Sequence, residues 1–544
     1  MIADRSEPAT LAAAKGLNLA QKVGQLLLVE IPGVTLTAET ATFLAECHPA
    51  GVALFGQNLA GPWATRRLIA ALQDAAAAAG DAPLLVGIDQ EGGQVARLRY
   101  PHAELPSNMA VAAAGGPAAA GEAAEILGRE MALLGINLAF APVVDVNTEP
   151  LNPVIGTRAY GDDPAEVAAC AVAAVEGLRR GGVFSMAKHF PGHGDTRADS
   201  HLARPVVAHG AARLAAVELV PFRAAIAVGV DTICSAHVGY PGVDSSGLLA
   251  TLSPTLMTTL LRDELGFRGT LFADALVMDA IAGKDSANIP PAAVQAVQAG
   301  VDCLMVLGSL ALQRRCHEAL MAAVEDGTIP MARLDEAVGR VQALRERIPP
   351  LPPPVAWPVT AHQAASARLA RAAVTCVRDR DSLLPLEGPG VGLIELVSGG
   401  VSPVESARNE PLGGSTLAML VGQRFPDLRC MAVDATAPDA AAMLDAFVAG
   451  CTRLIVATRS AVLNPAQAPL LQRIGDAGRP VIHLALRSPY DAMLAPAIGT
   501  VLLTYGDPPP ALTAVVDVLL GTAPAGRLPV RLPDLTGART GSAA

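Results

Sequence analysis

The chain has 544 residues, of which 51% are hydrophobic and 17% charged, and its formal net charge is −11. That length exceeds what one hydrophobic core usually serves, so at least two domains are expected. The acidic balance argues against nucleic-acid binding, which needs a basic surface to displace counterions, and no run approaches the ~20 apolar residues of a membrane span.

Aromatic residues make up only 3% of the chain, so its cores must be built from Ala, Val and Leu. The eight cysteines are scattered and none forms a C-x-x-C pair. Neither a zinc site nor a disulfide framework is suggested. Cys234 and Cys303 sit inside apolar runs and are expected to be buried thiols. The N-terminal MIADRSEPATLAAAKGLNLAQ has no basic stretch leading into an apolar one, which, with the cysteine usage, implies a reducing cytoplasm.

In chain order, short apolar runs at 25–31, 51–55, 83–88, 137–144, 183–188, 232–237, 270–274 and 301–306 read as eight strands. Between them, residues 64–79, 123–135, 164–182, 211–229 and 253–266 carry apolar residues at helical spacing. Eight βα alternations over roughly 300 residues predict a (β/α)8 TIM-type barrel, whose site lies at the C-terminal ends of its strands. Asp89, Asp145, Lys188, His189, His237 and Asp274 all fall at such ends.

A last barrel helix at 331–348 closes a catalytic domain spanning 1–348. A Pro-rich linker follows at 349–359, its first ten residues PPLPPPVAWP (349–358), and acts as a semi-rigid spacer. Runs at 391–397, 431–435, 453–458, 480–486 and 501–505 alternate with helical segments and predict a smaller doubly wound α/β sandwich domain over 360–536. The tail 537–544 is expected to be disordered.

The densest chemistry lies in AKHFPGHGDTRADSH at 187–201, which holds three of the chain's ten histidines. His189 and His193 have the spacing of two ligands on a helix face, but Pro191, Gly192 and Gly194 forbid a regular helix, so no metal is expected. Asp199-Ser200-His201 allows a carboxylate to accept from one imidazole nitrogen and leave the other for proton transfer; the competing reading is an Asx-turn beside an exposed histidine. Asp274 ends a buried strand as a candidate carboxylate nucleophile. Asp89, Arg97 and Arg158 add charged hydrogen-bonding groups, and together these residues describe a sugar site. No dinucleotide or P-loop fingerprint is present in this domain.

IDQEGGQVARL, IGTRAYGDDP, AKHFPGHGDTRADSH and LFADALVMDAI, in this order, resemble the family 3 glycoside hydrolases, specifically the β-N-acetylglucosaminidase branch with its Asp-Ser-His triplet. The resemblance is strongest from about 50 to 310 and extends into the second domain through residues 371–387, 486–496 and 525–530. It implies Asp274 as nucleophile and His201 as acid/base with Asp199 as its partner. Asp89, Arg97, Arg158, Lys188 and His189 become sugar contacts, and His193 and Asp195 shape the loop. Ala275, where an Asp often follows the nucleophile, and Gln94, where an Arg is common, depart from the pattern.

The implied activity is removal of terminal β-linked GlcNAc from small oligosaccharides or muropeptides, with retention, no cofactor, and a monomeric or homodimeric enzyme. A histidine acid/base leaves less negative charge near the incoming nucleophile than a glutamate would, which admits phosphate as an alternative acceptor. A β-glucosidase, a mixed exo-β-glycosidase and a non-catalytic sugar-binding protein are the other readings.

Overall fold

The computed structural model describes residues 16–353, 359–397, 403 and 415–532. The first 15 residues, the middle of the Pro-rich linker and the tail at 537–544 lie outside the described residues. Two compact units emerge, one drawn from Met1–Gln90, Ala124–Asp145 and Ala171–Trp357, the other from Glu91–Ala123, Val146–Cys170 and Pro358–Ala544. Two stretches that the sequence places between barrel strands therefore group with the C-terminal region.

The first unit is a parallel barrel. Its strands are β1 (Leu27–Glu30), β2 (Gly51–Leu54), β3 (Leu85–Ile88), β4 (Leu138–Ala139), β5 (Met186–Phe190), β6 (Thr232–Ser235), β7 (Thr270–Ala273) and β8 (Cys303–Val306). They hydrogen-bond in the order β4-β3-β2-β1-β8-β7-β6-β5. Parallel bridges Leu138–Phe184 and Val143–Lys188 join β4 to β5 across the remaining gap. Parallel strands covered on both faces read as continuous apolar runs, which is why all eight are visible in sequence. The interior is filled by Leu28, Leu85, Phe140, Met186, Phe272 and Met305, with the buried thiols of Cys234 and Cys303 among them.

The predicted helix at 211–229 is two helices, Ala211–Ala216 and Leu219–Ala227. Pro221 lies in the first turn of the second, where its missing N–H costs nothing. The helical stretch preceding β4 begins earlier than its spacing suggested, at Asn108, and is broken at Gly115–Gly116 ahead of Pro117. Among the described residues, no helix is long and apolar enough to cross a membrane.

The second unit holds a six-stranded sheet made of β9 (Thr375–Asp379), β10 (Val391–Val397), β11 (Arg429–Asp434), β12 (Arg453–Thr458), β13 (Val481–Ala485) and β14 (Thr500–Leu503). The order is β9-β14-β13-β12-β10-β11, parallel except for β9, which runs antiparallel to β14. Apolar clusters cover both faces, as a doubly wound sheet requires.

At the N-terminal end of β8, Asp302 is fully buried and binds three guanidiniums: Arg262 at 2.5 Å, Arg333 at 2.7 Å and Arg340 at 3.1 Å. Burial alone would raise its pKa, but the three arginines bring it down to about 2. Removing one partner of such a group leaves uncompensated buried charge. Asp302→Asn is expected to destabilise the barrel by about 3–5 kcal/mol, read from its urea midpoint. Because the folded pKa is depressed, Asp302's contribution is present above the ordinary carboxylate value of 3.8 and is lost as pH falls toward 2. A midpoint within error of the unsubstituted chain would contradict this reading.

Candidate active site

The C-terminal ends of the barrel strands carry a connected set of charges. Asp89 follows β3 and accepts from Lys188 Nζ of β5 at 2.8 Å. Asp145, beyond β4, has no exposed surface. Its Oδ2 pairs with His189 Nδ1 at 2.7 Å, and it also accepts the backbone N–H groups of His189 and, at 2.6 Å, of His193. Burial would raise the Asp145 pKa, yet His189 and His193 hold it below the usual carboxylate value. An ionised Asp145 keeps a proton on His189 Nδ1 and so fixes that ring's orientation.

From β5 the chain turns through the Pro-Gly-x-Gly segment into the loop bearing the triplet. Gly192 has φ +141°, and a Cβ there would fall 2.9 Å from that of Glu218, so only glycine fits without displacement. The Tyr240 hydroxyl donates to the Gly192 carbonyl. His193, 2% exposed, spends both ring nitrogens inside the loop: Nδ1 meets Thr196 Oγ1 at 2.7 Å and Nε2 meets Ser200 Oγ at 3.0 Å. That use of both nitrogens leaves it unsuited to a metal. Among the described residues, no group of three or more His, Cys, Asp and Glu side chains could hold a metal ion. Further along, Asp195 pairs with His209 at 2.7 Å.

Asp199 and His201 pair as their spacing predicts. Asp199 Oδ1 accepts the His201 backbone N–H at 2.8 Å and contacts its ring Nδ1 at 2.7 Å. The Asx-turn and the buttressed imidazole are thus one arrangement. His201 Nε2 has no hydrogen-bond partner among the described residues, and the ring is about a quarter exposed.

Asp274 follows β7, half-buried, with Oδ1 accepting the Ala275 N–H at 2.8 Å. Burial raises its pKa, but the imidazoles of His189, His237 and His201 outweigh that and hold it below the ordinary carboxylate value. Asp274 is thereby kept ionised, the state a carboxylate nucleophile would need. Asp279, five residues on, opens the short helix Asp279–Ala282.

His237 belongs to this set although the triplet and the nucleophile drew attention elsewhere. It is fully buried, with Nδ1 on Thr251 Oγ1 at 2.7 Å and Nε2 on the Ala275 carbonyl at 3.1 Å. The sequence already placed it at the end of the TICSAH run, among the polar residues of the strand ends, without giving it a role.

Arg97 and Arg158 belong to the second compact unit. Arg158 is 5% exposed and grips Glu91 through Nε and Nη2, each at 2.9 Å, with Nη1 on the Val154 carbonyl. Glu91 was not singled out in the sequence; its position beside Gly92-Gly93 gave no hint of a bidentate arginine. Arg97 is half-buried just after the two-residue strand Val95–Ala96.

Residues 18–344 match the family described as "Glycosyl hydrolase family 3 N terminal domain". The chain is 35% identical over 381 residues to Beta-hexosaminidase A of Pseudoalteromonas piscicida, covering 65% of this chain and 63% of that protein. It is 37% identical over 326 residues to Beta-hexosaminidase of Stenotrophomonas maltophilia (strain R551-3), covering 58% and 91% respectively. Among solved structures, a glycoside hydrolase family 3 beta-N-acetylglucosaminidase from Paenibacillus sp. str. FPU-7 aligns with TM-score 0.86 and 35% identity over 96% of this chain and all of that one.

Burial pushes the His237 pKa down, only partly opposed by Asp274. The ring is therefore expected to stay neutral, with its proton on Nε2, until pH falls below the ordinary 6.5. Imidazole NMR across pH 8 to 5 checks this, and a His237 midpoint above 6.5 would contradict it.

Proposed function

The chain belongs to glycosyl hydrolase family 3, and on that premise we propose that it is a retaining exo-β-N-acetylglucosaminidase. It removes terminal β-linked GlcNAc from small oligosaccharides or muropeptides, in keeping with the hexosaminidase names of its relatives; the expected cytoplasmic location and the family branch together imply recycling of cell-wall fragments. The observation that carries the reading is the 2.7 Å Asp199–His201 pair, with its Nε2 open and the Asp274 carboxylate within reach of the same imidazole's field.

In the first step an Asp274 oxygen bonds to the anomeric carbon as its bond to the leaving oxygen breaks, and His201 Nε2–H gives that oxygen its proton. Asp199 holds the ring by Nδ1 and stabilises the imidazolium beforehand. In the second step water attacks the anomeric carbon, His201 Nε2 takes its proton, and the bond to Asp274 breaks. Two displacements at one carbon retain configuration. On the barrel, the Asp89–Lys188 pair and the oriented ring of His189 bind the sugar hydroxyls. Arg97 and Arg158 are assigned to the sugar by the family resemblance alone.

Initial rates on two aryl β-glycosides differing only at C2 test the specificity: the N-acetyl sugar is expected to be strongly preferred over the hydroxyl sugar. Equal rates would shift the reading to a mixed exo-β-glycosidase, and no turnover of either would favour a binding protein. Asp274→Ala should abolish turnover, while Asp199→Ala should lower kcat by a factor on the order of 10²–10⁴ by losing the set tautomer. Near-normal turnover in either variant would overturn the role assigned to that residue.

A further inference from the structure

The turn that follows Asp274 is clamped from the strands on either side of β7. On one side the Leu276 N–H donates to the Met305 carbonyl of β8 at 3.1 Å. On the other, just beyond the end of β6, His237 Nε2 meets the Ala275 carbonyl at 3.1 Å. The same carbonyl accepts the Met278 N–H at 3.1 Å, which closes the turn. Ala275 therefore works twice: its N–H holds Asp274 Oδ1 at 2.8 Å, and its oxygen is held by the imidazole. The Asp274 carbonyl is a further acceptor acting on that ring.

The imidazole is itself fixed. His237, Thr251 and Ser235 are fully buried. A carbonyl only accepts, so Nε2 carries the ring proton, and the Thr251 hydroxyl, 2.7 Å from Nδ1, donates to the other nitrogen. The contact of that hydroxyl with the Ala236 carbonyl is longer, at 3.1 Å. Ser235 Oγ stands 2.8 Å from Thr251 Oγ1 and donates to it in turn. With both nitrogens engaged, the ring has one tautomer and one orientation. A lysine or arginine in its place would set a permanent cation against the carboxylate and occupy its oxygens. A neutral donor to the backbone holds the turn and leaves those oxygens without a cation on them.

We propose that His237 is a positioning residue for the nucleophile, fixing through Ala275 the direction in which the Asp274 carboxylate meets the anomeric carbon. The inference rests on the reading of Asp274 as nucleophile. Attack on carbon is sensitive to placement, and a displacement of about 1 Å costs on the order of 10²-fold in rate. The hydrogen bonds of the ring go to Thr251 and to the Asp274–Ala275 turn, and to none of the sugar contacts assigned on the barrel. Its loss therefore falls on the rate and not on sugar binding.

The test is the kinetics of His237→Leu, His237→Gln and Thr251→Val on an aryl β-N-acetylglucosaminide whose leaving group is too acidic to need protonation. On such a substrate kcat/KM reports formation of the glycosyl-enzyme. His237→Leu is expected to lower kcat/KM by a factor on the order of 10², while the inhibition constant of free GlcNAc stays within about twofold. His237→Gln, which keeps an N–H donor, should recover about tenfold of that loss, and the near-isosteric Thr251→Val should cost about tenfold. Thermal melts establish which variants are folded, and Thr251→Val and His237→Gln carry the test if His237→Leu is not. Unchanged kcat/KM in the folded variants would overturn the proposal. So would a loss confined to glycosides with poor leaving groups, which places the ring with the proton donor, or one that appears as weaker GlcNAc inhibition. Asp274→Ala, assayed beside them, separates the two ideas. Turnover lost there but normal in the His237 variants overturns the positioning role alone, whereas turnover kept in Asp274→Ala overturns the nucleophile and this inference with it.

Discussion

The barrel site depends on one buried carboxylate that never needs to touch a substrate. Asp145 is removed from water entirely, and an ion in that position is tolerable only if its oxygens are filled. They are filled by the His189 ring and by two backbone N–H groups, those of His189 and His193. One of these partners sets a ring at the strand end. Another starts the loop, because His193 in turn holds Ser200, the residue between Asp199 and His201. A single buried charge thus ties the orientation of His189 to the placement of the Asp199–His201 pair.

The two ends of the barrel use buried carboxylates in opposite ways. Asp302, at the N-terminal end, is saturated by three guanidiniums that stay charged at any working pH. Its chemistry is spent on holding β7, β8 and the last barrel helix together, through the Leu271 N–H, Arg262, Arg333 and Arg340. Asp274, at the C-terminal end, is surrounded instead by imidazoles. These hold it ionised without a permanent ion pair, so its oxygens stay available to form a bond. The division matches the barrel's general allocation of stability to one face and chemistry to the other.

Much of this was legible in the sequence for a physical reason. Parallel strands buried on both faces cannot avoid continuous apolar runs, and polar residues that interrupt such runs at one end stand out, as Asp89, Asp145 and Asp274 do. The Asp199–His201 pair was legible because a two-residue separation on a glycine-rich loop almost dictates the contact. Other features were not. β9 was passed over because TCVRD, an antiparallel edge strand with only its first residue buried, lacks an apolar run. Glu91 gave no signal, because a bidentate partner for Arg158 sits 67 positions away. That Asp145 would serve both His189 and His193 could not be read either, since the tie is made by backbone N–H groups that carry no sequence mark.

The central claim, that Asp274 bonds covalently to the sugar while His201 moves the proton, is tested most directly by trapping the intermediate. The enzyme would be mixed with an activated, fluorinated N-acetyl-β-glucosaminide that forms the glycosyl-enzyme faster than it releases it, then denatured, weighed and digested. The account predicts one added sugar mass on the peptide containing residues 271–281, carried by Asp274. Turnover of the reagent with no adduct, as expected if the substrate's own acetamido group made the attack, or an adduct on any other residue, would contradict it.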